Sequence, residues 1–216
     1  GVAGSGKTRL LHEATAHFHY PVWLGSGQQV AQTTPYLAIL RALRSGLAAF
    51  DPALLTQALR ALPDLWLAEA SRLLPELRDL RPDLRLPPTL PVEQAQARLF
   101  EALTRLAVVL AQAQGGAFLI VDDLHDADSE SFDWLLNLAH HLQNQRTPLA
   151  IAVAFDSTIE RPALKNWISN LQHDGTYRPL QLAPLSSQAL TTLVQTVQSV
   201  QSDKARSLQT AQIPSL

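Results

Sequence analysis

The sequence predicts an α/β fold whose strands form a parallel sheet, and three observations carry this prediction. Short apolar segments of strand length, at residues 21–24, 117–123 and 149–155, alternate with longer segments of helical periodicity. A glycine-rich segment, residues 1–8, comes directly before the first helix. The segment at 117–123 is apolar enough to be buried on both faces of a sheet, and it ends in two aspartates.

The glycine-rich segment reads GVAGSGKT and fits G-x-x-x-x-G-K-[ST], the phosphate-binding P-loop or Walker A motif. Glycine permits a tight curl that aims several backbone amides at one point, and the following helix adds its N-terminal amides. We expect Lys7 to reach the β- and γ-phosphates and the Thr8 hydroxyl to ligate Mg²⁺. The alternative is a plain glycine-rich turn before a helix. The predicted nucleotide-binding residues are Gly1, Val2, Ala3, Gly4, Ser5, Gly6, Lys7 and Thr8.

The second motif is AFLIVDD at residues 117–123, which has the form of a Walker B strand. Asp122 is expected to hold Mg²⁺, usually through water, and Asp123 to polarise the attacking water. Taken alone, an aspartate pair after a strand also fits a loop or a helix cap. The occurrence of both motifs in this order favours a nucleotide-binding module, with ATP and Mg²⁺ as its cofactors and Asp123 and Lys7 as its catalytic residues.

The composition limits the remaining possibilities. A chain of 216 residues with 46% hydrophobic residues can bury one substantial core and a small second unit. The net charge of −2 gives no sign of a nucleic-acid or membrane-seeking surface. The absence of cysteine excludes disulfides and fits a cytoplasmic protein, and no apolar run or signal peptide indicates a membrane. Because Met is absent and no strand precedes Gly1, we expect an internal segment of a longer protein.

Helical periodicity accounts for most of the chain before the second motif. The first helix is expected at residues 7–19, and the next begins near Pro35. Asp51 and Pro52 are typical of a helix start, and two short helices are expected to follow, with breaks near Pro63 and Pro75. Residues 80–91 read as an irregular connection, and a long helix follows at 92–114. The expected apolar contacts of the short helices are Leu54, Leu55, Leu59, Leu65, Trp66, Leu73 and Leu74.

The first helix carries an expected sheet-facing stripe made of Leu10, Leu11, Ala14 and Phe18. After the second motif, a helix is predicted at residues 129–143, capped by Asp128 or Ser129. A strand at 149–155, a helix around 164–171 and an edge strand at 177–185 follow. A last helical stripe covers 190–200, and a short helix is possible at 204–210. The pattern as a whole predicts a three-layer P-loop NTPase with a helical insertion at about 35–91.

These residues resemble a known family. GVAGSGKTRLLHE, TTPYLAILRALR, RLFEALTRLA, LIVDDLHDADSESFDWL and LQLAPLSSQAL are similar, in that order, to the AAA-type ATPase domain of STAND signal-transduction regulators. That family includes LuxR-type transcription regulators and cyclase- or kinase-linked ATPase modules. The resemblance implies an ATPase core at residues 1–185 with strand order 5-1-4-3-2, strand 1 being truncated here. It also implies an incomplete C-terminal lid at 186–216, attached output domains and nucleotide-dependent self-association.

Two positions depart from the family pattern. Asp126 stands where the family commonly has Trp, and Asp156 stands where an arginine usually senses the γ-phosphate. An acid cannot stabilise phosphate charge, and nearby Arg161 is the alternative donor. Two functions therefore stay open: slow Mg²⁺-dependent ATP hydrolysis that works as a regulatory switch, or a hydrolysis-deficient nucleotide-binding scaffold. The sequence does not contain the N-K-x-D motif of GTPases, and it shows no evident acceptor site of a small-molecule kinase.

Overall fold

A computed structural model of the chain describes residues 1–17, 19–28, 34–85, 87–175, 177–183, 186 and 188–192. Three parallel strands form its sheet in the order β1-β2-β3: β1 (Val22–Ser26), β2 (Ala117–Asp122) and β3 (Leu149–Val153). The register sets Ser26 opposite Asp122 and Val121 opposite Val153, so the carboxyl ends of the strands meet at one edge. The predicted α/β class with a parallel sheet is confirmed.

The described residues up to 180 form eight α-helices. They are α1 (Lys7–Ala16), α2 (Leu37–Ala48), α3 (Pro52–Ala61), α4 (Asp64–Ala70), α5 (Glu76–Leu80), α6 (Val92–Ala113), α7 (Ser129–Asn144) and α8 (Pro162–His173). Two of the starts depend on aspartate caps. The Asp51 carboxylate accepts from the amides of Ala53 and Leu54, and Asp128 accepts from the Ser131 amide. Both caps occur where the sequence predicts them.

Helix α2 packs closely on β1 because two glycines allow it. A Cβ at Gly25 would lie 2.2 Å from the Ala38 carbonyl oxygen, and one at Gly46 would lie 2.8 to 2.9 Å from the Trp23 ring. Trp23 is fully buried, and its indole N–H donates to Gln114 Oε1 at 3.0 Å. Gly46 weakens the helix by its propensity, and this close contact explains why a larger residue does not fit there.

Helices α3 to α5 form a helical layer, in which α3 and α4 pack on α6 and α5 packs on α4. Leu59, Leu67 and Leu103 are fully buried in the same core as the sheet residues. A buried ion cluster reinforces this packing: Glu69 of α4, 2% exposed, lies 3.0 Å from Arg72 Nε and 3.0 Å from Arg98 of α6. The helical layer and the sheet therefore share one continuous core.

Trp66 of α4 marks the edge of this layer. Its ring is half-buried, and the Arg105 guanidinium of α6 lies 4.9 Å from the ring centre. This geometry fits a cation–π contact between the two helices.

Several sequence predictions of detail are wrong. The breaks near Pro63 and Pro75 occur, but a third short helix, α5, follows the second break, and Leu54 and Leu65 are exposed rather than buried. No residue of α1 is buried, and Leu10 is 39% exposed. The loop before α1 is attached beside the end of β3, the last strand of the described sheet, so little strand surface lies beneath the apolar side of the helix.

The predicted edge strand is also wrong over its described residues, because 177–183 are irregular. Pro179 has no N–H to donate to a ladder, and Leu180 is 75% exposed, so the segment lacks both the pairing and the buried face of a strand. Residues 188–192 are helical. Phe18, residues 184–185 and the predicted helices beyond residue 192 lie outside the described residues.

The chain divides into two units, Gly1–Leu180 and Gln181–Leu216, and the structure describes the second only up to residue 192. The first unit contains the sheet and helices α1 to α8. None of the helices in the described parts of the chain combines the length and apolar character needed to cross a membrane.

Candidate nucleotide-binding site

The two sequence motifs meet at the carboxyl edge of the sheet. Thr8 Oγ1 donates a hydrogen bond to Asp122 Oδ2 at 2.6 Å across a separation of 114 residues. On the other side of the loop, the Ser157 amide donates to the Gly1 carbonyl at 3.3 Å. The glycine-rich loop therefore lies beside the ends of β2 and β3, where open α/β sheets bind their ligands.

The shape of the loop depends on two glycines in the left-handed region. Gly4 has φ +73° and Gly6 has φ +87°, conformations that other residues adopt at a cost. A Cβ at either position would meet nothing within 4 Å. These glycines are therefore required by the backbone curl and not by crowding. The carbonyl of Gly6 accepts from the Leu10 amide and opens α1, so the N-terminal amides of the helix follow the loop directly.

Lys7 lies over the start of the same loop. Its Nζ donates to the Gly1 carbonyl at 3.1 Å and to the Val2 carbonyl at 2.9 Å. The side chain is half-buried, so its ammonium group keeps access to solvent. A positive charge beside a ring of backbone amides is the arrangement that attracts a polyphosphate.

Asp122 is held in place through both of its oxygens. Oδ1 accepts from the Asp123 amide at 2.9 Å, and Oδ2 accepts from the Thr8 hydroxyl. A hydroxyl and a carboxylate oxygen side by side are hard donors that suit Mg²⁺, which takes its other ligands from phosphate and water. The Thr8–Asp122 pair is therefore the candidate metal contact. Among the described residues, no group of three or more His, Cys, Asp or Glu side chains could hold a metal ion.

Asp123 follows with an unusual backbone. Its φ of 48° and ψ of 43° are left-handed, and its side chain is exposed at the same edge of the sheet. Desolvation raises the pKa of this carboxyl above its usual value, and the negative charges of Asp122 and Asp126 raise it further, whereas His125 and Lys7 oppose the shift. A raised pKa makes the carboxylate a stronger proton acceptor.

Gly27 contacts this segment closely, although sequence reasoning did not select it. Its amide donates to the Asp122 carbonyl at 2.9 Å. A Cβ there would lie 2.2 Å from the Asp123 carbonyl oxygen and 2.7 Å from the Ala127 nitrogen. The signal that could have identified Gly27 is its position directly after β1, the strand that pairs with β2.

Asp156 lies between the two motifs, but its carboxylate is engaged locally. Oδ1 accepts from the Thr158 amide at 2.8 Å and from the Thr158 hydroxyl at 2.6 Å. These bonds lower the pKa of Asp156, and the side chain is 6% exposed. The Asp156 amide donates to His125 Nδ1 at 3.3 Å. The residue that replaces the family arginine thus stabilises a turn.

The structure gives Arg161 a role other than that of a donor to phosphate. Its guanidinium donates to the carbonyls of His125 and Ala127, and it lies 5.2 Å from the centre of the Phe132 ring. These contacts fasten α8 to the segment between β2 and α7. They commit the guanidinium to protein carbonyls rather than to the glycine-rich loop.

A family model described as an AAA ATPase domain matches residues 1–152, more than half of the chain, and includes both motifs. Searches among curated proteins and among solved structures gave no match. The matched range contains β1, β2 and the site at the carboxyl edge of the sheet. The chain belongs to the AAA ATPase domain family.

Proposed function

We propose that this chain binds ATP with Mg²⁺ and hydrolyses it slowly, and that the bound nucleotide works as a regulatory switch for attached signalling or transcription domains. Family membership supports nucleotide binding and an ATPase in general. The single observation that carries the proposal is the hydrogen bond from Thr8 to Asp122, since it joins the two motifs into one site.

In this proposal the loop of Gly1–Gly6 and the first amides of α1 bind the phosphates, and Lys7 neutralises part of their charge. Thr8 and Asp122 would hold Mg²⁺, which would supply positive charge to offset the negative charge of the phosphates. Asp123 orients the attacking water and accepts its proton, since its carboxylate is exposed directly after Asp122 at the same edge of the sheet.

In this proposal, slow turnover follows from Asp156, in the turn after β3. Transition-state charge in phosphoryl transfer is stabilised by cations aimed at the phosphoryl oxygens. Asp156 supplies an acid at the position where the family resemblance implies an arginine, and Arg161 donates to backbone carbonyls. The same observation favours the second candidate, a scaffold that binds nucleotide without hydrolysing it.

Calorimetric titration of the protein with ATP·Mg²⁺ tests binding. We expect Lys7→Ala to weaken ATP affinity about tenfold or more, because it removes a charged hydrogen-bond donor from the phosphates. Lys165→Ala is the matched control, since Lys165 is an exposed lysine of α8 that pairs with Glu160, just before the start of that helix. Equal affinity of wild type and Lys7→Ala would contradict the site.

Steady-state phosphate release then separates the two candidate functions. We expect Asp123→Asn to lower turnover about a hundredfold while ATP affinity stays within about twofold, as for loss of a general base. Unchanged turnover in Asp123→Asn would disprove its assigned role. Tight binding by a wild-type protein without measurable turnover would select the scaffold.

A further inference from the structure

The turn that follows β3, residues Asp156–Thr158, contacts both halves of the candidate site. We refer to it as the β3 exit turn. Its first residue contacts the segment after Asp123, and its second residue contacts the start of the glycine-rich loop. Neither contact is part of the phosphate- or metal-binding roles described above.

The side chain of Asp156 determines the shape of this turn. Both the amide and the hydroxyl of Thr158 donate to the same oxygen, Oδ1. A carboxylate that accepts from the backbone two residues ahead closes an Asx-turn, which fixes the direction of the intervening amide. That amide belongs to Ser157, and it donates to the Gly1 carbonyl at 3.3 Å.

The Gly1 carbonyl receives a second donor, Lys7 Nζ at 3.1 Å. One backbone oxygen therefore connects the β3 exit turn, the first residue of the loop and the ammonium that the proposed function places at the phosphates. A displacement of Ser157 would move the first residue of the loop, and with it one of the two carbonyls that orient Lys7.

The other end of the turn is anchored to the acid motif. The Ala154 amide donates to the Val121 carbonyl at 3.0 Å, and the Leu124 amide donates to the Ala154 carbonyl at 2.8 Å. The Asp156 amide adds its bond to His125 Nδ1, which requires a neutral ring with its proton on Nε2. The turn thus starts from a fixed frame that includes the residues around Asp122 and Asp123.

We propose that Asp156 is a positioning residue: by accepting from Thr158 it orients the Ser157 amide, which holds the start of the nucleotide-binding loop. The inference rests on the proposed function for its effect on ATP binding. It assigns the residue a role as a hydrogen-bond acceptor, so its negative charge is not what the site uses. Asparagine retains the Oδ1 acceptor without the charge, and therefore separates these two properties.

The test compares Asp156→Asn with Asp156→Ala and Asp156→Arg, and Thr158→Ser with Thr158→Val, by calorimetry with ATP·Mg²⁺. We expect the Asn and Ser variants to bind within about twofold of wild type. The Ala and Arg variants should bind about tenfold more weakly, and Thr158→Val less severely, because one of two donors to Oδ1 is lost. Asp83→Arg, at an exposed acid before α6, controls for charge inversion.

Hydrogen exchange of residues 1–6 and 154–160 without nucleotide provides a readout that does not depend on ATP. We expect faster exchange of the Ser157 and Thr158 amides in Asp156→Ala and wild-type exchange in Asp156→Asn. Thermal melting identifies any variant that fails to fold, and for such a variant Thr158→Val and Thr158→Ser carry the comparison.

Three outcomes would overturn the inference. The first is equal weakening in Asp156→Asn and Asp156→Ala, which would show that the charge itself is needed. The second is wild-type affinity and exchange in Asp156→Ala. The third is a faster turnover with unchanged affinity in Asp156→Arg. If the wild-type protein does not bind ATP, the proposed function fails, while the exchange pattern still decides whether Asp156 positions the loop.

Discussion

At the scale of single residues, Gly27 shows how closely the backbone around Asp123 is confined. We expect Gly27→Ala to destabilise the fold by about 2 kcal/mol, because its Cβ would lie 2.2 Å from the Asp123 carbonyl oxygen and the backbone must shift. The same shift should displace Asp123 and lower turnover more than ATP affinity. Chemical denaturation and steady-state kinetics measure the two effects.

Gly175→Ala is the matched control for this substitution. Gly175 has φ +70° and open space at its Cβ position, so alanine there strains the backbone without pushing on a neighbour. It should cost about 1 kcal/mol and leave turnover unchanged. Similar turnover losses in both variants would mean that Gly27 affects stability alone.

At the scale of elements, two aspartate caps differ in what they join. Asp51 caps α3 at the exposed surface, whereas the buried Asp128 caps α7 and also accepts from the Tyr36 amide at 2.7 Å, before α2. We expect Asp51→Ala to cost about 1 kcal/mol of unfolding free energy, as an exposed cap does. Asp128→Ala should cost about 2 to 4 kcal/mol, because buried donors of Tyr36 and Ser131 lose their acceptor.

Denaturant unfolding of the two alanine variants gives both free energies. Asp128→Asn is the control, since its Oδ1 can still accept from the Tyr36 and Ser131 amides and should recover part of the loss. Equal costs for the Asp51 and Asp128 alanine variants would contradict the idea that Asp128 connects two helices.

The elements also show which patterns the sequence makes visible. Three elements follow from local signals in the sequence. A glycine-rich turn predicts the start of α1 at Lys7, an apolar stripe predicts the long helix α6, and a short apolar run predicts β2, which ends at Asp122. The edge strand at 177–185 is predicted from the same kind of local signal, but its described residues, 177–183, form no strand. A strand also needs a partner, and periodicity does not identify one.

The same division holds for the candidate site. Lys7 and Thr8 are recognisable because their spacing within the P-loop pattern reflects the phosphate chemistry itself. Asp122 is recognisable because it ends a short apolar strand. Gly27 was missed, because its role appears only when the end of β1 lies against Asp123. The Asp-x-Thr sequence at residues 156–158 is typical of a turn in which Asp156 accepts from Thr158. The contact of Ser157 with Gly1 was not predictable in this way, because it joins residues from distant parts of the chain.

At the scale of the whole molecule, the ion cluster around Glu69 joins the helical layer to α6. We expect Glu69→Gln to cost about 3 kcal/mol, because it leaves Arg98 and the partly exposed Arg72 without their buried counter-charge. One core joins this layer to the sheet, so the loss should appear as an earlier single transition in denaturant unfolding.

An exposed ion pair provides the comparison. Glu76 lies 2.8 Å from Arg44 Nε, and the two side chains are 37% and 44% exposed, so Glu76→Gln should cost no more than about 1 kcal/mol. A loss in Glu69→Gln as small as in Glu76→Gln would show that burial adds nothing to the cluster. Two separate transitions would show that the layer unfolds independently.

The contact between Trp66 and Arg105 also has an optical consequence. The chain has four tryptophans, of which Trp23, Trp134 and Trp167 are buried and Trp66 is half-buried under a guanidinium. Ultraviolet excitation therefore yields emission mainly from indoles shielded from water, with one contribution that small dissolved quenchers can reach. That contribution comes from α4, so steady-state fluorescence contains a signal from the helical layer that needs no introduced dye.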